Sequence, residues 1–184
     1  MSDPRAPEGM VPVWDRFVRV FHWGLVTLIA VCWLTADEIK SVHEAAGYLV
    51  AGLIAARLVW GLIGPRHARF ADFVRSPRAV LDYLALLRVG REPRYLGHNP
   101  AGGAMIVALI ATVAGTALTG WLQTTDMFWG SEMLEEVHEL LATLILCLAG
   151  IHIAGVVFES LRHRENLVTA MIDGRKRASE RPHN

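Results

Sequence analysis

Four histidines set in apolar surroundings are the residues of this chain best suited to chemistry. Two of them, His138 and His152, lie in one apolar stretch from Val137 to Phe158. They are 152 − 138 = 14 residues apart, about four helical turns at 3.6 residues per turn, so both imidazoles point to nearly the same side, roughly 21 Å apart along the axis. Between them on that face stand Ala142, Ile145 and Ala149, two of which are small. Such a face can receive two flat ligands at two depths, each held by one imidazole. The other two, His22 and His43, lie in separate apolar stretches. Neutral imidazole is a good axial ligand for haem iron, and haem is the flat ligand this pattern suggests.

The elements that must position these side chains read as membrane spans. Of the 184 residues, 53% are hydrophobic, yet 36 are charged (18 basic and 18 acidic) and the charges are segregated from the apolar runs. That suggests a membrane protein more than a soluble core. Apolar stretches run from about Phe17 to Ala36, His43 to Ile63, Ala101 to Leu122 and Val137 to Phe158, each about the 20 residues that cross a bilayer as a helix. The expected fold is an all-α integral membrane four-helix bundle with both termini cytoplasmic. Between spans 2 and 3, Pro77 to Val89 sets Ala79, Val80, Tyr83, Leu84, Leu86 and Leu87 among Arg78, Asp82 and Arg88, the pattern of a short interfacial helix. Asn99 before Pro100 is a cap followed by a first-turn proline, which starts span 3. The organisation reads as an N-terminal tail (1–13), a transmembrane domain (14–161) and a basic cytoplasmic tail (162–184). No small-residue cleavage site follows the first apolar run, so it reads as a retained span. Cys32 and Cys147 sit apart in apolar runs outside any C-x-x-C or C-x-x-C-H pattern, which disfavours zinc, dithiol and covalent haem chemistry. The zero net charge points to no nucleic-acid partner.

Orientation follows from lysine and arginine near the span ends. The N-terminal segment has three, the connection from Gly64 to Asn99 seven and the C-terminal tail six, while the link before span 2 has only Lys40 and the link before span 4 has none. Both termini and the long connection are therefore expected in the cytoplasm. Trp14, Trp23 and Trp60 then fall near inner ends, and Trp33, Trp121 and Trp129 near outer ends, as an interfacial belt requires. This topology assigns depth: His22 and His152 are level near the cytoplasmic side, His43 and His138 near the outer side. One membrane histidine alone is more simply a helix-to-helix hydrogen bond; four at two matched depths favour two haems, with His22, His152, His43 and His138 as iron ligands. Each second ring nitrogen needs an acceptor, expected from a carbonyl one turn back on its own helix. Arg57, 57 − 43 = 14 residues after His43, shares that face at the inner level and is a candidate partner for a haem propionate; a snorkelling arginine is the alternative. His67, His98, His163 and His183 lie in polar segments and are not read as ligands.

The stretches VWDRFVRVFHW (Val13 to Trp23), VHEAAGY (Val42 to Tyr48), ARLVWGLIGPRHARF (Ala56 to Phe70), YLGHNPAGG (Tyr95 to Gly103), VHELLATLILCLAGIH (Val137 to His152) and HRENLVTAMIDGRKR (His163 to Arg177) together resemble the bacterial-type di-haem cytochrome b561 family, related to the b-type cytochrome subunit of nickel–iron hydrogenases. The resemblance implies two b haems held by histidines of spans 1, 2 and 4, in the same crossed pairing. It also implies a multi-pass protein of the bacterial inner membrane that exchanges electrons with membrane quinone or quinol, and with a cytochrome c or a hydrogenase-like redox protein. The acidic link from Asp126 to Glu136 is a possible dock for a basic cytochrome c, or simply a solvated loop. Two other functions compete: a superoxide-oxidising, quinone-reducing enzyme, and a haem-free helical scaffold or transporter whose histidines handle protons or metal.

Overall fold

The computed structural model describes residues 9–178; the first eight residues of the expected N-terminal tail, and His183, lie outside the described residues. Four helices are long and apolar enough to cross a membrane: α1 (Arg16–Thr35), α2 (Lys40–Ile63), α5 (Pro100–Gln123) and α6 (Glu132–Arg162). Between α2 and α5 the chain forms a 3₁₀ turn (Arg66–Ala68), the single-turn α3 (Phe70–Phe73) and α4 (Pro77–Arg88), the expected interfacial helix. A short α7 (Leu167–Asp173) follows α6.

Local chemistry sets where the helices begin. Asp15 caps α1 by accepting from Val18 N at 3.0 Å. Asn99 caps α5 by accepting from Gly102 N at 2.7 Å, with Pro100 in the first turn. Ser76 and Pro77 open α4 in the same way. The fourth span exceeds its expected length: at 31 residues it is about 46 Å long, longer than a hydrocarbon core of about 30 Å. Its start lies in the acidic link, where Glu132 and Glu135 sit in the first turn and favour the positive end of the helix dipole. It stops only where Arg164 turns to a φ of 50°.

The termini depart from the sequence reading more clearly. Met10–Pro12 (β1) pairs antiparallel with Arg175–Arg177 (β2), so stretches read as tails form a two-stranded sheet. Gly174 makes the junction: its carbonyl accepts from Val13 N and Trp14 N, and it ends α7 at a φ of 83°. A Cβ there would lie 2.5 Å from Trp14 O, so both conformation and space require glycine. Glu159 accepts from Tyr83 Oη at 2.8 Å and Asn99 Nδ2 at 2.9 Å, and Glu165 pairs with Arg94 at 2.9 Å. These contacts bind α4, the start of α5, the end of α6 and the tail into a cap over the end of the bundle that carries both termini.

Within the bundle α1 packs on α2, α2 on α5 and α5 on α6; α6 makes no comparable packing with α1 or α2. Phe21, Val50, Ile54, Val113 and Ile145, drawn from all four spans, form the buried core. Ile145 is seven residues from each α6 histidine (145 − 138 and 152 − 145), so this apolar layer lies between the two histidine levels.

Candidate functional site

Helical periodicity puts His138 and His152 on one side of α6, and that side faces α1 and α2 across the sparsely packed gap. The structure brings His22 of α1 beside His152, with ring centres 6.5 Å apart and planes at 54°. His43 of α2 lies beside His138, at 6.2 Å and 68°. The pairs are those that depth assigns. His67, His98 and His163 join neither pair.

The spacing is informative. Two imidazoles sharing a direct N–H···N hydrogen bond would bring their ring centres to roughly 5 Å. A metal ion held midway, about 2 Å from a nitrogen of each ring, sets the ring centres roughly 6 Å apart. Both pairs meet that value. Among the described residues no group of three or more His, Cys, Asp or Glu could hold a metal. Two imidazoles and nothing else suit a metal whose remaining positions are filled by a macrocycle, and suit poorly a bare zinc or calcium ion.

Neighbouring helices orient the rings. His43 Nδ1 lies 2.9 Å from Cys32 O on α1. His138 Nδ1 lies 3.0 Å from Thr116 O and 3.1 Å from Thr119 Oγ1 on α5. An Nδ1–H donated to a carbonyl leaves Nε2 as the nitrogen free for a metal. The acceptors come from adjacent helices, not from one turn back on the histidine's own helix as expected. These helical carbonyls keep their own ladder bonds and take the ring nitrogen on a second lone pair, because α1 and α5 approach the rings sideways. Thr119 frees its side by turning its hydroxyl to Gly115 O and Thr116 O, both at 3.0 Å. The third span, silent as a source of ligands, thus contributes Thr116 and Thr119. Only the Thr119 hydroxyl, a polar side chain in an apolar helix, carried a sequence signal; Thr116 acts through its backbone carbonyl. Gly120 belongs to the same wall, for a Cβ there would sit 3.0 Å from His138 Cε1. His22 Nδ1 is shielded from solvent and has no hydrogen-bond partner among the described residues, an orphaned nitrogen at the His22/His152 pair.

Arg57 is only 3% exposed. Nη2 donates to Ala68 O at 3.0 Å and the guanidinium lies 5.1 Å from the centre of the Phe70 ring, while Nη1 is buried without a partner. It is an enclosed cation, not a side chain reaching for solvent.

The model of a family described as prokaryotic cytochrome b561 matches residues 13–174. The chain belongs to that family. Among curated proteins it is similar to a "Probable Ni/Fe-hydrogenase B-type cytochrome subunit" of Rhodobacter capsulatus, 26% identical over 90% of this chain and 81% of the relative. Proteins of the same description from Bradyrhizobium diazoefficiens and Rhizobium leguminosarum are 23% and 25% identical, covering 90% and 93% of this chain and 85% and 90% of the relatives. No solved structure matches the chain. Membership of the cytochrome b561 family and four apolar helices make this a multi-pass protein of the bacterial inner membrane, a b-type cytochrome that works in electron transfer with haem b as its cofactor. The imidazole pairs described above fit that cofactor in donor type, number and spacing.

Proposed function

We propose that this cytochrome b561 family member carries two b haems, one between His22 and His152 and one between His43 and His138, and links the quinone pool to a redox protein at the membrane. The observation that carries the proposal is the pair of ring spacings, 6.5 Å and 6.2 Å, both spanning the gap beside α6 at levels roughly 21 Å apart along its axis. Bound b haem supplies one-electron reduction and oxidation at its iron. The chain does the rest. The four imidazoles hold the cofactors, while Cys32 O, Thr116 O and Thr119 Oγ1 fix the rings of the second pair. The apolar layer around Ile145 keeps water out between the levels. Arg57, an enclosed cation at the level of His22 and His152, binds a haem propionate.

Lysine and arginine distribution puts both termini, the cap and the His22/His152 level on the cytoplasmic side. A hydrogenase-like partner is favoured by the names of the relatives, which describe subunits of nickel–iron hydrogenases. A basic cytochrome c at the acidic outer link is the alternative partner. Haem content per chain tests the reading. Wild type is expected to hold two b haems; His22→Ala and His152→Ala lose one, and His43→Ala and His138→Ala lose the other. Variants that all lose the same haem, or one haem in wild type, refute the pairing.

A further inference from the structure

The capped end of the bundle holds a second orphaned polar atom near Arg57. His98 keeps some exposure as a residue, but its Nδ1 has no solvent contact and no hydrogen-bond partner among the described residues. The ring is packed between Trp14, 4.5 Å away, and Phe73, 4.9 Å away. Arg57 rests on the same short segment: Ala68 takes its Nη2, Phe70 lies under its guanidinium, and Phe73, three residues on, lies against His98. The nearby acid, Asp15, is already used, with Oδ1 on Val18 N and Oδ2 accepting from Trp60 Nε1 at 3.3 Å. Asp15 acts on Arg57 by charge alone, so among the described residues the buried cation keeps an N–H without a partner, beside a shielded imidazole nitrogen, and the two can take a further anion.

We propose that His98 and Arg57 together form a carboxylate-binding pair, and that its ligand is a propionate of the haem held between His22 and His152. This rests on the two-haem reading above and adds His98, a residue outside both imidazole pairs, as a positioning residue for that cofactor. Burial first, then the positive charges of Arg57 and Lys176, push the His98 imidazole down to about 3. At neutral pH it is therefore uncharged, and the one N–H of the ring can be given to a carboxylate. Arg57 supplies the charge and His98 a neutral donor, an arrangement suited to one ionised carboxylate.

A propionate stripped of one donor keeps more of its negative charge near the iron, which favours the oxidised state and lowers the midpoint potential. The test is potentiometric titration of the purified full-length haem protein, followed by b-band absorbance. His98→Phe keeps a ring between Trp14 and Phe73 but removes the donor; His98→Gln keeps a donor but removes the ring. The expected result for His98→Phe is a tenfold shift of one haem's reduction equilibrium toward the oxidised form, about 59 mV for one electron, with the other haem unmoved. His98→Gln recovers most of the wild-type potential. Arg57→Lys, which keeps charge but loses the fork, lowers the same haem, and its effect combined with His98→Phe is less than additive. In a His43→Ala background, which retains only the His22/His152 haem, the shift persists. Wild-type potential in His98→Phe, an equal shift or equal haem loss in both His98 variants, or a shift confined to the other haem overturns the proposal while leaving the two-haem reading standing. A wild-type protein without two titrating b haems refutes that reading itself.

Discussion

Removing one hydroxyl from the third span tests the orienting role of α5. Thr119→Val is nearly isosteric and changes a side chain that is only 8% exposed. The hydroxyl lies 3.1 Å from His138 Nδ1, so its loss deletes one contact to the ring. A hydrogen bond of this kind contributes about 1 kcal/mol net, which corresponds to about a fivefold change in an equilibrium constant. Loss of an outer-shell partner of a metal-bound histidine often costs 10- to 100-fold in affinity. The smaller figure is expected here because Thr116 O, at 3.0 Å, still accepts from Nδ1 and keeps the tautomer. The assay is transfer of haem from detergent-solubilised protein to an excess of soluble haem scavenger. About fivefold faster loss of one of the two haems is expected for Thr119→Val, with the other unchanged and Thr119→Ser near wild type. Equal loss from both sites, or no difference between the Val and Ser variants, would mean that the α5 hydroxyl does not orient His138.

Other consequences are open to direct measurement. Gly120→Val places branched carbon where even a Cβ comes within 3.0 Å of His138 Cε1; purified protein should contain one haem, retained by the His22/His152 pair. Tyr83→Phe removes the donor to Glu159 at 2.8 Å and leaves that carboxylate short of a partner; thermal unfolding in detergent should show a loss of about 1.5–3 kcal/mol, the range for hydrogen bonds to charged groups. His98 should make the fold acid-sensitive. Its folded-state value is lowered to about 3, whereas the unfolded chain takes up the proton near pH 6.5. The unfolded state therefore binds more protons between these values, and stability falls as pH drops below about 6.5. In haem-free His98→Phe, where no propionate offsets the burial, the unfolding temperature should fall less between pH 7 and pH 5 than in haem-free wild type.

The spans were legible because a bilayer imposes length and apolarity on every crossing segment, and the pairing of His22 with His152 and His43 with His138 followed from span direction and helical rise alone. Asn99 and Pro100 marked the start of α5 because capping is local chemistry. What stayed hidden depends on distant segments meeting. The β1–β2 pair involves three-residue strands that carry no periodicity. The acceptors for His43 and His138 sit on other helices, where a backbone carbonyl such as Cys32 O has no residue type to betray it. His98 lies in a polar segment, and only the cap built around it shows that its Nδ1 is enclosed.

Met10–Pro12 is made before its partner strand Arg175–Arg177, which lies 175 − 12 = 163 residues after Pro12. This pair can therefore form only after α6 has left the ribosome. Until then α1 and α6, which pack little on each other, lack the β1–β2 tie between the segments that flank them. A tag or truncation that prevents this final clasp should show its effect first in cofactor retention, before any loss of the helices themselves.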